Sequence, residues 1–378
     1  MPSIISYITR RIKPSCAVWE LTLRCNSNCI HCGSEAGKAR SDELDTEEAL
    51  KLVKDLHSYG YKGVALMGGE PLVRDDWFEI AKEIKKRKME LSIVTNGLLV
   101  KHYIQQIKES NADCVSVSLD GATAKTHDYL RGVDGAFNKT LEAINLLKKN
   151  KLPVSVITTV SNVNFNEINK IKNLIIDRNI AWQIQLGVPI GRFQRDLVIS
   201  REQFYTLALF ISINAKKYSY KRLPIIGAHC FGYYSNIMPN LGLDPWVGCQ
   251  AGLSVLGIQS NGNIKGCLTL SDNFIEGNVR TQSLKSILSH PLVFRYNRRF
   301  KRNNLKGYCL TCEVNKECRG GCNGTSRALN SYDKPYCLRA IENSLSTPNN
   351  MPFRGKLNVQ LSKYRNLYKK ILTKRNIL

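Results

Sequence analysis

The chain of 378 residues has little that would carry it into or across a membrane. No apolar run approaches the ~20 residues of a spanning helix. Met1 to Lys13 is basic but holds no apolar stretch of signal-peptide kind. These absences predict a soluble, cytoplasmic protein that needs no membrane. Acidic residues are scarce: 31 Asp and Glu stand against 55 Lys and Arg, a formal charge of +24. The excess fits lysine-rich helix faces, with a surface for an acidic peptide or nucleic acid as the sharper alternative. Nucleic acid is not expected among the partners. Internal repeats and low-complexity linkers are also absent, which excludes a repeat array.

Cysteine, by contrast, is abundant. There are thirteen, an odd number in a chain where no secretory signal is read, so a disulfide framework is not expected. Metal or cluster ligation in a reducing, low-oxygen cytoplasm is the better account. Hydrophobic residues make up 43%, enough for a globular core. The length suits one barrel-sized domain plus a second module.

The cysteines fall into two runs. Cys25, Cys29 and Cys32 are spaced C-x3-C-x2-C; Cys309, Cys312, Cys318 and Cys322 are spaced C-x2-C-x5-C-x3-C. Three thiolates so close together can hold three irons of a [4Fe–4S] cube and leave the fourth iron open. An open iron is what reductive cleavage of S-adenosylmethionine (SAM) needs, so the first run predicts radical chemistry. The rival readings are buried free thiols or a zinc site. Zinc wants a fourth protein ligand, and His31, adjacent to Cys32, has a poor bite for one tetrahedron.

From Ala17 to about Gly187, apolar β-branched segments alternate with amphipathic helical ones. The spacing predicts strands over Ala17–Leu23, Gly63–Met67, Glu90–Thr95, Cys114–Leu119, Val154–Val160 and Trp182–Leu186. Thr46–Tyr59 reads as a helix with a capped start at Asp45 and Glu48 and a stop at Gly60. This alternation predicts an α/β fold with a parallel sheet, a partial (β/α)6 TIM-like barrel. Chemistry belongs at the carboxyl ends of such strands. Cys25, Gly68-Gly69-Glu70-Pro71, Thr95-Asn96-Gly97 and Ser118-Leu119-Asp120-Gly121 all fall there. Beyond Ser200 the pattern changes. Phe204–Tyr218 reads as a helix and Gly257–Cys267 as a hairpin turning at Asn261-Gly262. Tyr308 to Cys337 is rich in glycine and cysteine and needs a metal to hold it together.

Cys25-x3-Cys29-x2-Cys32 after one strand, with Gly68-Gly69-Glu70-Pro71 after the next, resembles the radical SAM superfamily over Ala17 to Leu186. The resemblance implies that SAM binds the open iron and is cleaved to a 5′-deoxyadenosyl radical, which abstracts a substrate hydrogen. Gly68 and Gly69 would let the backbone approach the SAM ammonium. Glu70 would supply charge for it, and Pro71 would stiffen the turn. By the same resemblance Asn96 and Ser118 would contact the SAM ribose or carboxylate, and Arg131 could pair with the carboxylate. A turn or capping role is the rival for these three, and Asp120 reads as a turn former.

Cys249, Gly262 with Cys267, the second run and Cys337 occur in the order of the SPASM domain, the C-terminal auxiliary iron–sulfur extension of many radical SAM enzymes. The resemblance covers Cys249 to Cys337 and implies two auxiliary [4Fe–4S] clusters besides the SAM-binding one. Cys309, Cys312, Cys318 and Cys337 would hold one. Cys249, Cys267 and Cys322 would hold the other, one ligand short. Cys230 could fill that place, or the iron stays open to substrate or solvent. Cys16 and Cys114 read as core or incidental thiols. A zinc ribbon is the rival reading of the set.

Trp19-Glu20-Leu21-Thr22, Ser34, Gly37-Lys38 and Asp42-Glu43-Leu44 resemble maturases of small ribosomal peptides, of the mycofactocin and pyrroloquinoline quinone kind. The implied activity is crosslinking, decarboxylation or epimerisation of a precursor peptide, served by an external one-electron donor of flavodoxin or ferredoxin type. With 24 residues before Cys25, leader recognition would need a separate small leader-binding protein or the chain's own basic surface. Alternatives are a tetrapyrrole side chain as substrate, oxidation of a protein Ser or Cys as in sulfatase maturation, and a cluster-bearing regulator that binds nucleic acid. No catalytic acid or base is assigned, though His229, Tyr233, Tyr234 and Asp244 lie before Cys249 where a pocket would form. The expected organisation is 1–16 as an N-terminal segment, 17–225 as the core, 226–345 as the auxiliary-cluster domain and 346–378 as a basic tail. In that tail Leu357, Leu361, Tyr364, Tyr368 and Ile371 are at helical spacing.

Overall fold

The computed structural model describes residues 11–231, 234–238, 241–242, 246–329 and 336–345. The basic tail, Tyr233 and Asp244 lie outside the described residues, as do residues 1–10. The alternation read from the sequence folds as strands and helices in turn. The strands are β1 Cys16–Thr22, β2 Gly63–Gly68, β3 Glu90–Thr95, β4 Cys114–Ser118, β5 Val154–Val160, β6 Ala181–Leu186, β7 Ile225–Gly227, β8 Val255–Ile258, β9 Asn263–Lys265 and β10 Gly277–Asn278. They make one sheet in the order β10-β9-β8-β1-β2-β3-β4-β5-β6-β7. Neighbours from β8 to β7 pair in parallel. β9 and β10 add antiparallel pairs at one edge.

Helices α1 Thr46–Tyr59, α2 Trp77–Lys86, α3 Val100–Glu109, α4 Ala124–Arg131, α5 Ala136–Lys149, α6 Ile168–Ile175 and α7 Arg201–Lys217 fall between the first seven strands. Local chemistry explains their limits. At α1, Asp45 and Glu48 form the reciprocal cap, and Gly60 ends the helix in the left-handed region at φ 104°. In α2 the apolar stripe Trp77, Ile80, Ala81 and Ile84 is buried against the sheet side of the core. Ser200 and Gln203 form a second reciprocal cap, which starts α7 three residues before the expected Phe204.

The six strands expected from the sequence form the middle of the sheet, and two more extend it in parallel. β7 straddles the expected boundary at residue 225. β8 joins the free edge of β1, with Cys16 opposite Val255 and Trp19 opposite Ile258. The hairpin of the C-terminal segment therefore completes the sheet instead of standing apart from it. Glu20 on β1 reinforces the join. It is buried, which demands partners. Its Oε1 accepts from Arg40 Nε at 3.0 Å, Ser260 N at 3.2 Å and Ser260 Oγ at 3.1 Å. Gly262 (φ +86°) takes the left-handed position in the β8–β9 turn.

Candidate functional site

Beyond Thr22 the chain makes a closed loop that carries the first cysteine run. Cys25 N donates to Gly37 O at 2.9 Å, and Gly37 N donates to Leu23 O at 3.0 Å. Within the loop Cys32 Sγ accepts from Ala36 N at 3.4 Å. Cys25 and Cys32 both lie close enough to Cys29 to feel its charge. Burial pushes the Cys25 thiol up to about 11 and raises Cys29 as well, while the Arg131 guanidinium pulls both back. His31 is no fourth zinc ligand here: its Nε2 faces Asp120 Oδ2 at 3.2 Å. Among the described residues no three His, Cys, Asp or Glu side chains converge on a single-ion site. The soft, clustered thiol donors suit iron–sulfur ligation.

The loop after β2 packs directly under this run. A Cβ on Gly68 would lie 2.7 Å from Thr22 O, and one on Gly69 only 2.2 Å from Arg24 O. Gly69 is thus required by the approach of the cysteine loop and Gly68 by that of the end of β1, a reason the sequence alone did not give. Gly69 N and Glu70 N donate to Thr22 O and Arg24 O at 2.8 and 2.9 Å. Glu70 is fully buried, and Pro71 opens the short turn after it. Both Glu70 carboxylate oxygens are engaged inside the protein. Oε1 accepts from Thr95 Oγ1 at 2.8 Å and Leu72 N at 3.2 Å, and Oε2 from Asn96 N at 2.7 Å. Burial raises its acid to about 7 against these hydrogen bonds. Glu70 therefore clasps the ends of β2 and β3 together.

Asn96 reaches the cysteine loop from β3: its Nδ2 donates to Asn26 Oδ1 at 2.7 Å and to Ser27 Oγ at 3.1 Å. Ser118, at the end of β4, is half-buried, and its hydroxyl makes no hydrogen bond to the described protein. Arg131, at the end of α4, lies beside Cys25 and Cys29 and donates from Nη1 to Asp120 Oδ2 at 3.1 Å.

Asp120 is more than a turn former. It is 1% exposed and takes Arg131 and His31 on Oδ2 and Thr159 N, at 2.8 Å, on Oδ1. Burial opposes its charge, yet His31 and Arg131 hold the carboxyl well below its usual range. His127 Nδ1 accepts from Asp120 N at 3.2 Å, and burial lowers that imidazole to about 4, so it stays neutral. Arg192 closes the loop from the far side. Its Nε donates to Cys29 O and its Nη1 to Ala36 O, both at 2.9 Å, while Nη2 is buried without a partner. No sequence signal links Arg192 to Cys29, because 163 residues separate them.

The C-terminal cysteines gather into two groups. Cys309, Cys312, Cys318 and Cys337 line one small space with Tyr234, Tyr308 and Arg339. Cys249 and Cys267 each lie close enough to Cys322 to feel its charge. Cys267 Sγ also contacts Thr269 Oγ1 at 3.1 Å. Cys16 and Cys114 stay apart from both groups, against Ala17 O and Ser155 Oγ.

Between the first run and the Cys322 group opens a cavity of about 780 Å³. Gly33, Ser34 and Glu35, just past Cys32, form one wall, and Leu268 to Asp272, just past Cys267, form another. Arg40 and Lys265 on its walls are paired, with Glu20 and Asp272. Arg327 instead stacks on Phe274 at 4.3 Å, and its Nε is buried without a partner. His229 lines a different cavity of about 550 Å³ between β6, β7 and β8, so neither it nor Tyr234 borders this one.

The family model of the radical SAM superfamily matches residues 19–175, and that of the iron–sulfur cluster-binding SPASM domain matches residues 249–313. The AdoMet-dependent heme synthase of Methanosarcina barkeri is 32% identical over 86% of this chain and 96% of its own length. The mycofactocin maturase MftC of Mycolicibacterium smegmatis is 26% identical over 85% of this chain and 81% of its own. Streptococcus suis SuiB bound to its precursor peptide SuiA superposes with a TM-score of 0.69 at 18% identity. It covers 86% of this chain and 75% of that one, a likeness of fold. The chain belongs to the radical SAM superfamily, in the branch with a C-terminal SPASM domain; it is an enzyme that binds [4Fe–4S] clusters and SAM.

Proposed function

We propose that the chain matures a ribosomally synthesised peptide. In this reading Cys25, Cys29 and Cys32 hold the SAM-binding cluster. Cys309, Cys312, Cys318 and Cys337 hold one auxiliary cluster, and Cys249, Cys267 and Cys322 contribute to another. When bound, the first cluster and SAM supply a 5′-deoxyadenosyl radical that takes a hydrogen atom from the substrate.

The chain's own residues decide where that happens. Gly68 and Gly69 let the loop after β2 sit under the cysteine run. Glu70 and Asn96 fix that loop and the cysteine loop to the end of β3. Arg131 and Arg192 place fixed positive charge and N–H groups beside the thiols, in a site where burial magnifies them. Ser118, whose hydroxyl makes no hydrogen bond among the described residues, is the group we assign to SAM itself. Because the polar atoms of Glu70 and Asn96 are already engaged, we assign them positioning roles.

The observation that carries the peptide reading is the cavity between the two cysteine regions. Its mouth is open, so an extended chain can insert a few residues and leave the rest in solvent. The likeness to a mycofactocin maturase agrees with this. Crosslinking, decarboxylation and epimerisation would all begin from one abstraction in this cleft. A separate leader-binding protein and a one-electron donor complete the proposed partners.

A second reading, a tetrapyrrole carboxylate side chain, is favoured by two observations. One is the 32% identity across 96% of an AdoMet-dependent heme synthase. The other is Arg327, a guanidinium on the cavity wall that could meet a carboxylate. Anaerobic co-expression with each short open reading frame beside the gene tests the first reading. Loss of two hydrogens or of a carboxyl group from one peptide, read by intact mass and fragmentation, would support it. No mass change and no deuterium uptake, together with porphyrin-dependent formation of 5′-deoxyadenosine, would replace it with the second.

A further inference from the structure

Ten of the thirteen cysteines fall into the three groups above, which leaves Cys16, Cys114 and Cys230. Cys16 and Cys114 are turned to Ala17 O and Ser155 Oγ, on the strands of the core sheet. Cys230 is placed differently. It sits in the short turn His229–Phe231 just after β7, and that turn is packed into the core. Phe231 is fully buried and stacks on Phe204 with ring centroids 5.3 Å apart. Ala228 N donates to Ile184 O at 2.8 Å, which seats the turn on β6, and Phe231 N donates to Ala228 O at 2.8 Å. A Cβ on Gly227 would lie 2.7 Å from Phe231 Cβ, so the turn closes as tightly as its sequence allows.

This frame aims the Cys230 thiol across the end of β6. Its Sγ accepts the N–H of Leu186 at 3.3 Å, the kind of N–H···S contact that supports a ligating sulfur. His229, next to Cys230, faces Trp246 with ring centroids 6.3 Å apart and lines one cavity with Gly248 and Gln250, the neighbours of Cys249; Cys230 also lies close enough to Cys322 to feel its charge, as Cys249 and Cys267 do. Three thiols, two from the SPASM segment and one from the end of the parallel sheet, thus neighbour that of Cys322.

We infer that Cys230 is the fourth ligand of the cluster held by Cys249, Cys267 and Cys322. The inference rests on the assignment of those three cysteines to a cluster and deepens it. A cluster with four protein thiolates has no open iron. This cluster then does not bind substrate directly, and the open iron is left to the first run. The same ligation staples the turn at the end of β6 and β7 to the SPASM segment, so cluster assembly and the closing of the sheet's far side become one event.

The test uses the full-length protein with Cys25→Ala, Cys29→Ala and Cys32→Ala, reconstituted anaerobically so that auxiliary clusters alone report. Iron content and the EPR spectrum of the reduced protein are recorded with and without added cyanide, which binds an open iron. With Cys230 present, the spectrum should not change on adding cyanide. Adding Cys230→Ala should make it change, and mild oxidation should then convert one cluster to a [3Fe–4S] signal. Cys114→Ala in the same background should behave as the parent. A cyanide-induced change while Cys230 is present would overturn the inference, and this arm does not depend on the folding of the Cys230 variant. So would unchanged spectra and oxidation behaviour after Cys230→Ala. A triple variant that holds no iron would instead overturn the auxiliary-cluster assignment, and this inference with it.

Discussion

Gly69→Ala should unseat the first cysteine loop. The added methyl would lie 2.2 Å from Arg24 O, 2.7 Å from Leu23 O and 2.8 Å from Arg24 C. All three are backbone atoms of the loop that leads into Cys25, so no side chain can swing aside. Overpacking of this kind costs about 1–3 kcal/mol. Relief by moving the loop strains the bonds from Gly69 N to Thr22 O and from Glu70 N to Arg24 O, each contributing about 0.5–1.5 kcal/mol. The sum is about 2–6 kcal/mol. For a chain of this size, at about 2 °C per kcal/mol, the melting temperature should fall by roughly 4–12 °C. Gly37→Ala is the control, because a Cβ there meets nothing within 4 Å. Differential scanning fluorimetry under anaerobic conditions gives the stability, and 5′-deoxyadenosine production gives the chemistry. If Gly69→Ala melted like Gly37→Ala and still cleaved SAM at the normal rate, the close approach would not be what fixes this glycine.

Cys25→Ala should abolish 5′-deoxyadenosine formation and leave the circular dichroism spectrum intact; retained SAM cleavage would sink the assignment of the first run. Cys312→Ala should lose auxiliary iron and product, and an unchanged iron content would contradict the two-cluster reading. Asp120→Asn removes the charge that Arg131 and His31 share. Leaving a buried guanidinium uncompensated costs about 3–5 kcal/mol, so urea unfolding should shift to clearly lower midpoint, and an unshifted midpoint would refute the buried pairing. His127, lowered to about 4 by burial, is neutral when folded, whereas an unfolded imidazole takes up a proton below about 6.5. Its contribution is therefore present above 6.5 and lost as pH falls towards 4, on the order of 3 kcal/mol in all. His127→Phe should flatten that part of the stability–pH curve, and an equally steep curve in the variant would show that another group causes it.

Features set by neighbours in the chain were legible in the sequence. Asp45, Glu48 and Gly60 bounded α1 because a cap is a contact over three or four residues. The strands Glu90–Thr95 and Val154–Val160 stood out through β-branched patterning over a full strand length. The order of the cysteines was legible because ligand spacing is local. What escaped the sequence depends on distant partners. β7 and β8 have only three and four residues and exist through their pairing with β6 and β1. The hydrogen-bond partners of Glu70 were not legible, since nothing in its neighbourhood revealed the backbone N–H of Asn96. Asp120 beside Gly121 looked like a turn, because His31 and Arg131 come to it from elsewhere. Arg192 carried no signal at all.

The position of the large cavity constrains the chemistry more than its size does. A volume of about 780 Å³ is within the ordinary range for small-molecule sites, so it holds a whole tetrapyrrole or only a few peptide residues. Its walls, however, follow cysteines of both regions: Gly33 to Glu35 come after Cys32, Leu268 to Asp272 after Cys267, and Ser326 to Ala328 one helical turn after Cys322. The first two walls hang from neighbouring strands of one sheet, because β8 pairs with β1 and Glu20 ties Ser260 to Arg40. A change that loosens the auxiliary cysteines must then reshape the cleft as well as lose iron. Arg327 separates the two substrate readings at this wall. Arg327→Met keeps an apolar unbranched stem and removes the guanidinium with its charge and its stacking on Phe274. A tetrapyrrole anchored there by a carboxylate should bind at least tenfold more weakly to the variant, about 1.4 kcal/mol. A peptide without an acidic side chain at that position should lose little. Equilibrium titration of both ligand classes against the two proteins decides between them, and equal weakening of both would show that Arg327 shapes the wall rather than reading charge.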